Sequence, residues 1–406
     1  ESSAASDVYK RQRAGGYSRG VHAVGHADES VTGVFRTPRR APGTLATGLR
    51  RSRTLGAVSR ATSLKLPLSA RPQRALVRVL GKAQPFITPL FRRRTRVNAD
   101  GERLAPEMAV VGWSAANIPG MGLGTTDVLG SRRDIDISAT TMAENLPAFA
   151  VEEDLTFDGP GGPLAATRYR ATESSSGLLI YFHGGGFVLG SRISHDGVAR
   201  RLALGAGVDV LAVDYRLAPE NPFPAAVDDA LATWRFAVRS APQWGLAPER
   251  IVVAGDSAGG NLAAVLAQQV RGEQVVPCRQ VLLYPMTDAS SRHPSRDEFA
   301  QGLFLTEERI RFFTDNYTPD ESVRTDPRVS PLLADDLSGL PPAHVLVAGF
   351  DPLRDEGLAY AQRLADAGVA VTVQRESSML HAFANMTVFS ADARAALDLS
   401  LIHISE

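Results

Sequence analysis

The stretch Arg250-Ile-Val-Val-Ala-Gly-Asp-Ser-Ala-Gly-Gly-Asn-Leu-Ala-Ala-Val-Leu-Ala-Gln-Gln-Val270 decides the fold. Its opening run, Ile251-Val-Val-Ala254, reads as a buried strand. From Asn261 onward the apolar residues read as a helix. Between the two stands Gly255-Asp-Ser-Ala-Gly259, a G-x-S-x-G pattern. Strand, sharp turn and helix are the setting in which a serine projects its Oγ above the edge of a sheet. Glycines suit the flanking positions because side chains there would meet the neighbouring strand and helix. The helix N-terminus favours negative charge developing beside it. The plain alternative is a glycine-rich turn without chemistry, and the short pattern by itself leaves that open.

Outward from this stretch, strand-like runs alternate with longer helical ones from Val151. That rhythm predicts an α/β domain with a largely parallel sheet. The predicted strands are Val151–Phe157, Leu164–Tyr169, Gly177–Phe182, Val208–Val213, Ile251–Gly255, Gln280–Tyr284, His344–Ala348 and Val369–Gln374. Helices are predicted at His195–Gly205, Ala225–Ser240, Ala258–Arg271, Glu307–Tyr317, Arg354–Gly368 and Ala391–Asp398. Upstream, Leu104–Ala116 begins a helix with Pro106 in its first turn, and Ile135–Glu144 is a weaker candidate. Asp288–Leu333 is a long insertion between two strands, with an amphipathic segment at Thr306–Tyr317, and reads as a lid.

Three further motifs bear on Ser257. His183-Gly-Gly-Gly-Phe187 follows a predicted strand. Its glycines leave backbone N–H groups open to an oxyanion, with Ala258 N–H as a further donor. A flexible turn or a phosphate cradle is the alternative, and the missing Lys-Ser or Lys-Thr argues against a P-loop. His183 itself reads as a residue that orients the loop. Asp351 follows a strand and precedes Pro352, at the sheet end where ligands meet α/β folds. Asp355 and Glu356 compete with it and read instead as carboxylates of a helix's first turn. His381 lies after the last strand. The order Ser257, Asp351, His381 is that of a hydrolase triad on this kind of sheet.

These motifs, together with Asp214-Tyr-Arg-Leu-Ala-Pro-Glu220, make residues 150–398 resemble the hormone-sensitive-lipase-like family of α/β-hydrolase esterases. The resemblance implies an eight-stranded, mostly parallel sheet flanked by helices and topped by a helical cap. It implies carboxylic-ester hydrolysis with no metal and no cofactor, on short- to medium-chain esters. Ser257, His381 and Asp351 would be catalytic, and Gly184, Gly185 and Ala258 would supply the oxyanion hole. Phe187, Tyr215 and Phe223 would line the substrate pocket, and Asp214 would support it. The family's usual Gly after the base is Ala382 here. Amide or lactone hydrolysis on the same triad, or a non-catalytic small-molecule receptor, are the competing functions.

Composition bounds the rest. The 406 residues, 44% hydrophobic and 22% charged, suit a globular chain. No apolar stretch is long enough for a transmembrane helix. The single Cys278 leaves no intrachain disulfide or thiolate cluster, and nothing requires an oxidising compartment. A net charge of zero conceals asymmetry: residues 1–100 hold 20 Lys+Arg against 5 Asp+Glu, and the remainder 24 against 39. Residues 1–98 read as a basic, disordered or non-native extension. A nucleic-acid or membrane tether is the alternative, and no aromatic interleaving supports nucleic acid. Residues 99–150 read as cap helices, 151–398 as the hydrolase domain with a cap insertion at about 288–333. Residues 399–406 resemble translated adapter text. The predicted location is the cytoplasm. The predicted partner is a small ester, with a homodimer left open.

Overall fold

The computed structural model describes residues 95–117, 122–123 and 127–405. Most of the predicted extension, residues 1–94, lies outside them. Eight strands, β1 (Val151–Gly159), β2 (Gly162–Arg170), β3 (Leu178–Phe182), β4 (Asp209–Asp214), β5 (Ile251–Asp256), β6 (Arg279–Leu283), β7 (Ala343–Phe350) and β8 (Val371–Leu380), form one sheet in the order β1-β2-β4-β3-β5-β6-β7-β8. β2 is antiparallel to both its neighbours, and all other pairs are parallel. The helices are α1 (Pro106–Asn117), α2 (Val128–Met142), α3 (Asp196–Ala206), α4 (Ala225–Ser240), α5 (Ala258–Gln269), α6 (Pro294–Glu298), α7 (Glu307–Tyr317), α8 (Arg354–Asp366) and α9 (Ala391–Ser405).

The central strands are mostly apolar because helices cover both faces. β3, β5 and β7 are buried at every position. Alternate side chains serve opposite layers, as a period of two dictates. Leu178, Ile180 and Phe182 join a core with Trp234 of α4, Leu262 of α5 and Tyr360 of α8. Leu179 and Tyr181 join a second core with Met108 of α1, Leu202 of α3 and Leu397 of α9. Because β3 to β8 all run parallel, their C-terminal ends open on one side, and the loops that carry the predicted motifs gather there.

All eight predicted strands are present, with shifted ends. The largest shift is β8, which runs on to Leu380 rather than stopping at Gln374. Its second half, Arg375-Glu-Ser-Ser378, carries no apolar alternation, and its pairing with β7 passes through an irregularity between Ala348 and Phe350. α2 starts at Val128, seven residues before the predicted start, where Asp127 accepts the Gly130 N–H as an N-cap. α9 does not end at Asp398 but continues to Ser405. Ser400 in that added turn is buried and donates to Gln374 Oε1 at 2.9 Å.

Candidate active site

The turn between β5 and α5 forces Ser257 to φ +55° and ψ −118°. A non-glycine residue at positive φ is strained and persists only where its surroundings hold it. Here the Ser257 N–H donates to Leu283 O at 2.8 Å, and the Met286 N–H donates to Ser257 O at 3.2 Å. The turn tolerates no side chain two residues to either side of the serine. A Cβ on Gly255 would lie 2.2 Å from Gly259 O, and one on Gly259 would lie 1.9 Å from Phe182 O.

This turn brings Ser257 to two residues far away in sequence. Ser257 Oγ is 3.0 Å from His381 Nε2, and His381 Nδ1 is 2.7 Å from Asp351 Oδ2. The carboxylate is fully buried, and its other oxygen accepts the Leu353 N–H at 2.9 Å. Because a carboxylate accepts only, Nδ1 carries the proton and Nε2 faces the serine hydroxyl as acceptor. The ring of Tyr284 packs edge-on against His381, centroids 5.0 Å apart. Ala382 sits at φ +65° directly after His381.

The His183–Phe187 loop lies beside the serine and rests on two buried groups. His183 Nδ1 is 2.8 Å from Gly184 O, its ring stacks on Tyr215 at 4.4 Å, and the Tyr215 hydroxyl donates to His183 O at 2.7 Å. Burial, aided by nearby His195, lowers the His183 pKa to about 4. The ring is therefore neutral and donates through Nδ1, which fits the predicted loop-orienting role. Beneath it, Asp256 Oδ1 accepts the Tyr181 hydroxyl at 2.6 Å and the Gly184 N–H at 2.8 Å. His195 Nε2 stands 3.5 Å from Asp256 Oδ2. Burial works against both charges, but each offsets it for the other, so Asp256 titrates below and His195 above its ordinary value.

Two expectations change. Gly184 N–H donates to Asp256 and so is not open to a ligand. The N–H groups of Gly185, Gly186 and Ala258 donate to no protein acceptor among the described residues. Tyr215 is buried below the loop with ring and hydroxyl both engaged, so it supports the loop rather than lining a pocket. Phe187 is buried too, stacked on Tyr317 of α7 at 3.8 Å, and Phe223 meets the edge of Tyr317 at 6.0 Å. Asp214 takes the predicted supporting part, accepting Arg192 N at 2.7 Å and Arg192 Nε at 2.9 Å.

The covering helices reach this loop directly. Phe313 of α7 lies over Gly186, where a Cβ would come within 2.3 Å of its ring. Arg132 of α2 donates to Val188 O and Ala218 O, each at 2.7 Å, and forms a two-pronged pair with Glu220 at 2.9 and 2.8 Å. Asp355 accepts the Ser295 N–H at 2.8 Å from the first turn of α8. Glu356 stands in the first turn of α8, as predicted, and is fully buried there. Asp256, His195, Phe313 and Arg132 were not singled out by the sequence reading. Only Asp256, an acid between motif residues, carried a signal that could have found it. Among the described residues, no cluster of three His, Cys, Asp or Glu could hold a metal ion.

Comparison with known proteins agrees with the fold. Residues 179–385 match a family model described as an alpha/beta hydrolase fold. The chain is 40% identical over 333 residues to the carboxylic ester hydrolase LipN of Mycobacterium tuberculosis, covering 78% of this chain and 87% of that protein. It is 40% identical over 263 residues to an ethyl acetate hydrolase of Pseudomonas putida, covering 63% and 83%. The solved structure of a hyperthermophilic esterase from Pyrobaculum calidifontis superposes with a TM-score of 0.70 at 38% identity, covering 74% of this chain and 98% of that one. By sheet order, motif order and this extent of similarity, the chain belongs to the hormone-sensitive-lipase-like family of α/β-hydrolase esterases.

Proposed function

We propose that this protein is a serine carboxylesterase that hydrolyses small carboxylic esters through an acyl-enzyme. The observation that carries the reading is the unbroken chain Ser257 Oγ, His381, Asp351, with contacts of 3.0 and 2.7 Å. His381 Nε2 takes the hydroxyl proton as Ser257 Oγ attacks the ester carbonyl. Asp351 holds the ring with Nδ1 protonated and stabilises the imidazolium that results. The oxyanion is received by the N–H groups of Gly185, Gly186 and Ala258, with the positive end of α5 behind Ala258. The alcohol leaves with the proton from Nε2. Water then attacks the acyl-serine by the same route and restores the hydroxyl.

The cluster of Phe187, Phe223, Phe313 and Tyr317 beside the His183–Phe187 loop makes this side of the site apolar, which favours an ester with an apolar acyl group. Among the described residues, no helix is long and apolar enough to cross a membrane. The test is hydrolysis of a chromogenic ester series, from acetyl to long acyl, by the wild type and by Ser257→Ala. Activity that is highest on the shorter chains and absent in the variant is the expected result. Equal rates for both folded proteins would end the reading.

A further inference from the structure

Two fully buried carboxyl groups occupy the junction between β7 and α8. Asp351 holds His381. Glu356, in the first turn of α8, is equally buried and has no place in the mechanism above. Its Oε1 accepts the N–H of Thr287 at 2.7 Å and that of Asp288 at 3.2 Å. Thr287 answers with its hydroxyl, which donates to the Glu356 carbonyl at 2.9 Å. The second oxygen, Oε2, is buried without a hydrogen-bond partner. A buried carboxyl group with one idle oxygen is unfavourable. An apolar side chain of similar size would avoid that cost, so the contact made by Oε1 needs an explanation.

The segment that Glu356 grips leads to the serine. Tyr284 donates its N–H to Leu346 O of β7 at 2.6 Å and lays its ring against His381. Met286 donates its N–H to Ser257 O at 3.2 Å, and its own carbonyl accepts Asn261 Nδ2 of α5 at 3.0 Å. Tyr284–Asp288 is thus attached to nucleophile and base at one end and to Glu356 at the other. Besides His381, this strip of backbone joins the acid-bearing turn to the nucleophile's turn.

We propose that Glu356 is a positioning residue: by holding the N–H groups of Thr287 and Asp288 it fixes the strip Tyr284–Asp288, and with it the spacing of Ser257 from His381. The proposal rests on the ester-hydrolysis reading of the same site. Reactions of this kind depend on near-attack geometry, and a displacement of about 1 Å can cost on the order of 10²-fold in rate. Loss of the grip therefore lowers turnover and leaves substrate binding alone.

The test is steady-state hydrolysis of 4-nitrophenyl acetate by the full chain, with the wild type and Ser257→Ala as controls. Glu356→Met fills the volume without an acceptor, and Glu356→Gln retains one for the two N–H groups. The expected result is a kcat lowered about 10- to 100-fold in Glu356→Met with KM within about twofold, and most of the loss recovered in Glu356→Gln. Circular dichroism confirms that both are folded. Folded Glu356→Met with the wild-type kcat overturns the proposal, as does Glu356→Gln no faster than Glu356→Met. If Glu356→Met does not fold, Glu356→Leu takes its place, with kcat reduced about 10- to 100-fold expected and an unchanged kcat overturning the proposal. A wild type no faster than Ser257→Ala overturns the ester-hydrolysis reading and this proposal together. The preceding outcomes overturn the positioning role alone.

Discussion

In α5, directly behind the serine, every residue from Ala258 to Ala267 is buried, whereas in α1 only Met108 and Gly112 are. Val110 and Trp113 of α1 face solvent, Trp113 at 60% exposure. The sheet edge is held by backbone hydrogen bonds and by glycines that leave no room for a methyl group. The elements over it are joined to it by side-chain contacts, such as Arg132 on Val188 O and Ala218 O and Tyr317 stacked on Phe187. Close packing gives the first region one geometry. The second lies outside the Ser257–His381–Asp351 chain of contacts. On this comparison, substitutions at the sheet edge should act on kcat and those above it on KM.

The largest effect belongs to the sheet edge. Asp351→Asn should lower kcat by about 10⁴-fold because the ring loses its orienting acceptor. Its thermal unfolding should stay close to wild type, and a loss under tenfold would break the comparison at its strongest point. Next is the place where the two regions touch. Gly186→Ala puts a methyl at 2.3 Å from Phe313 on a residue at φ +63°. A drop in kcat on the order of 10²-fold is expected. Adding Phe313→Ala should return several-fold of it, and additive losses would show that α7 does not press on the loop. Arg132→Ala lies above the sheet and should raise KM about 3- to 10-fold with kcat within about twofold. A kcat effect larger than the KM effect would place α2 among the parts that set reacting geometry.

The smallest effect is on stability. Burial pushes the Glu356 carboxyl from 4.5 up to about 8. Between those values the folded chain keeps a proton that the unfolded chain has released, so wild-type stability falls as pH rises through that window. Glu356→Gln has no such proton. Its Tm relative to wild type should climb by a few degrees from pH 5 to pH 8 and level off above. Asp288, His293, Asp355 and Arg296, the other charged groups at this corner, are present in both proteins. A Tm difference independent of pH would mean that Glu356 is ionised in the fold.

The strands, the helices behind them and the serine's turn were legible because each rests on local pattern: apolar runs, helical spacing and glycines at a sharp bend. The roles of individual groups were less so, because they depend on what folding brings alongside. Gly184 looked like an open donor, and only the approach of Asp256, 72 positions away, shows its N–H engaged. Tyr215 looked like a pocket wall until His183 proved to lie on its face. Glu356 follows Asp355 on the same first turn, yet Asp355 accepts the Ser295 N–H of α6 and stays partly exposed, whereas Glu356 is fully buried. Helix position alone cannot separate them.

Asp256 holds Tyr181, Gly184 and His195 together from a buried position. Breaking one side of such a buried pair leaves an uncompensated charge, which costs more than never having had the pair. For descent and for library design, this corner is one inherited unit spread over three positions. A change at 256 made alone passes through a chain with a stranded His195, and a change at 195 alone strands the acid. Relatives should therefore be found to vary at 181, 195 and 256 in concert, and single-site libraries across this corner should return the starting residue.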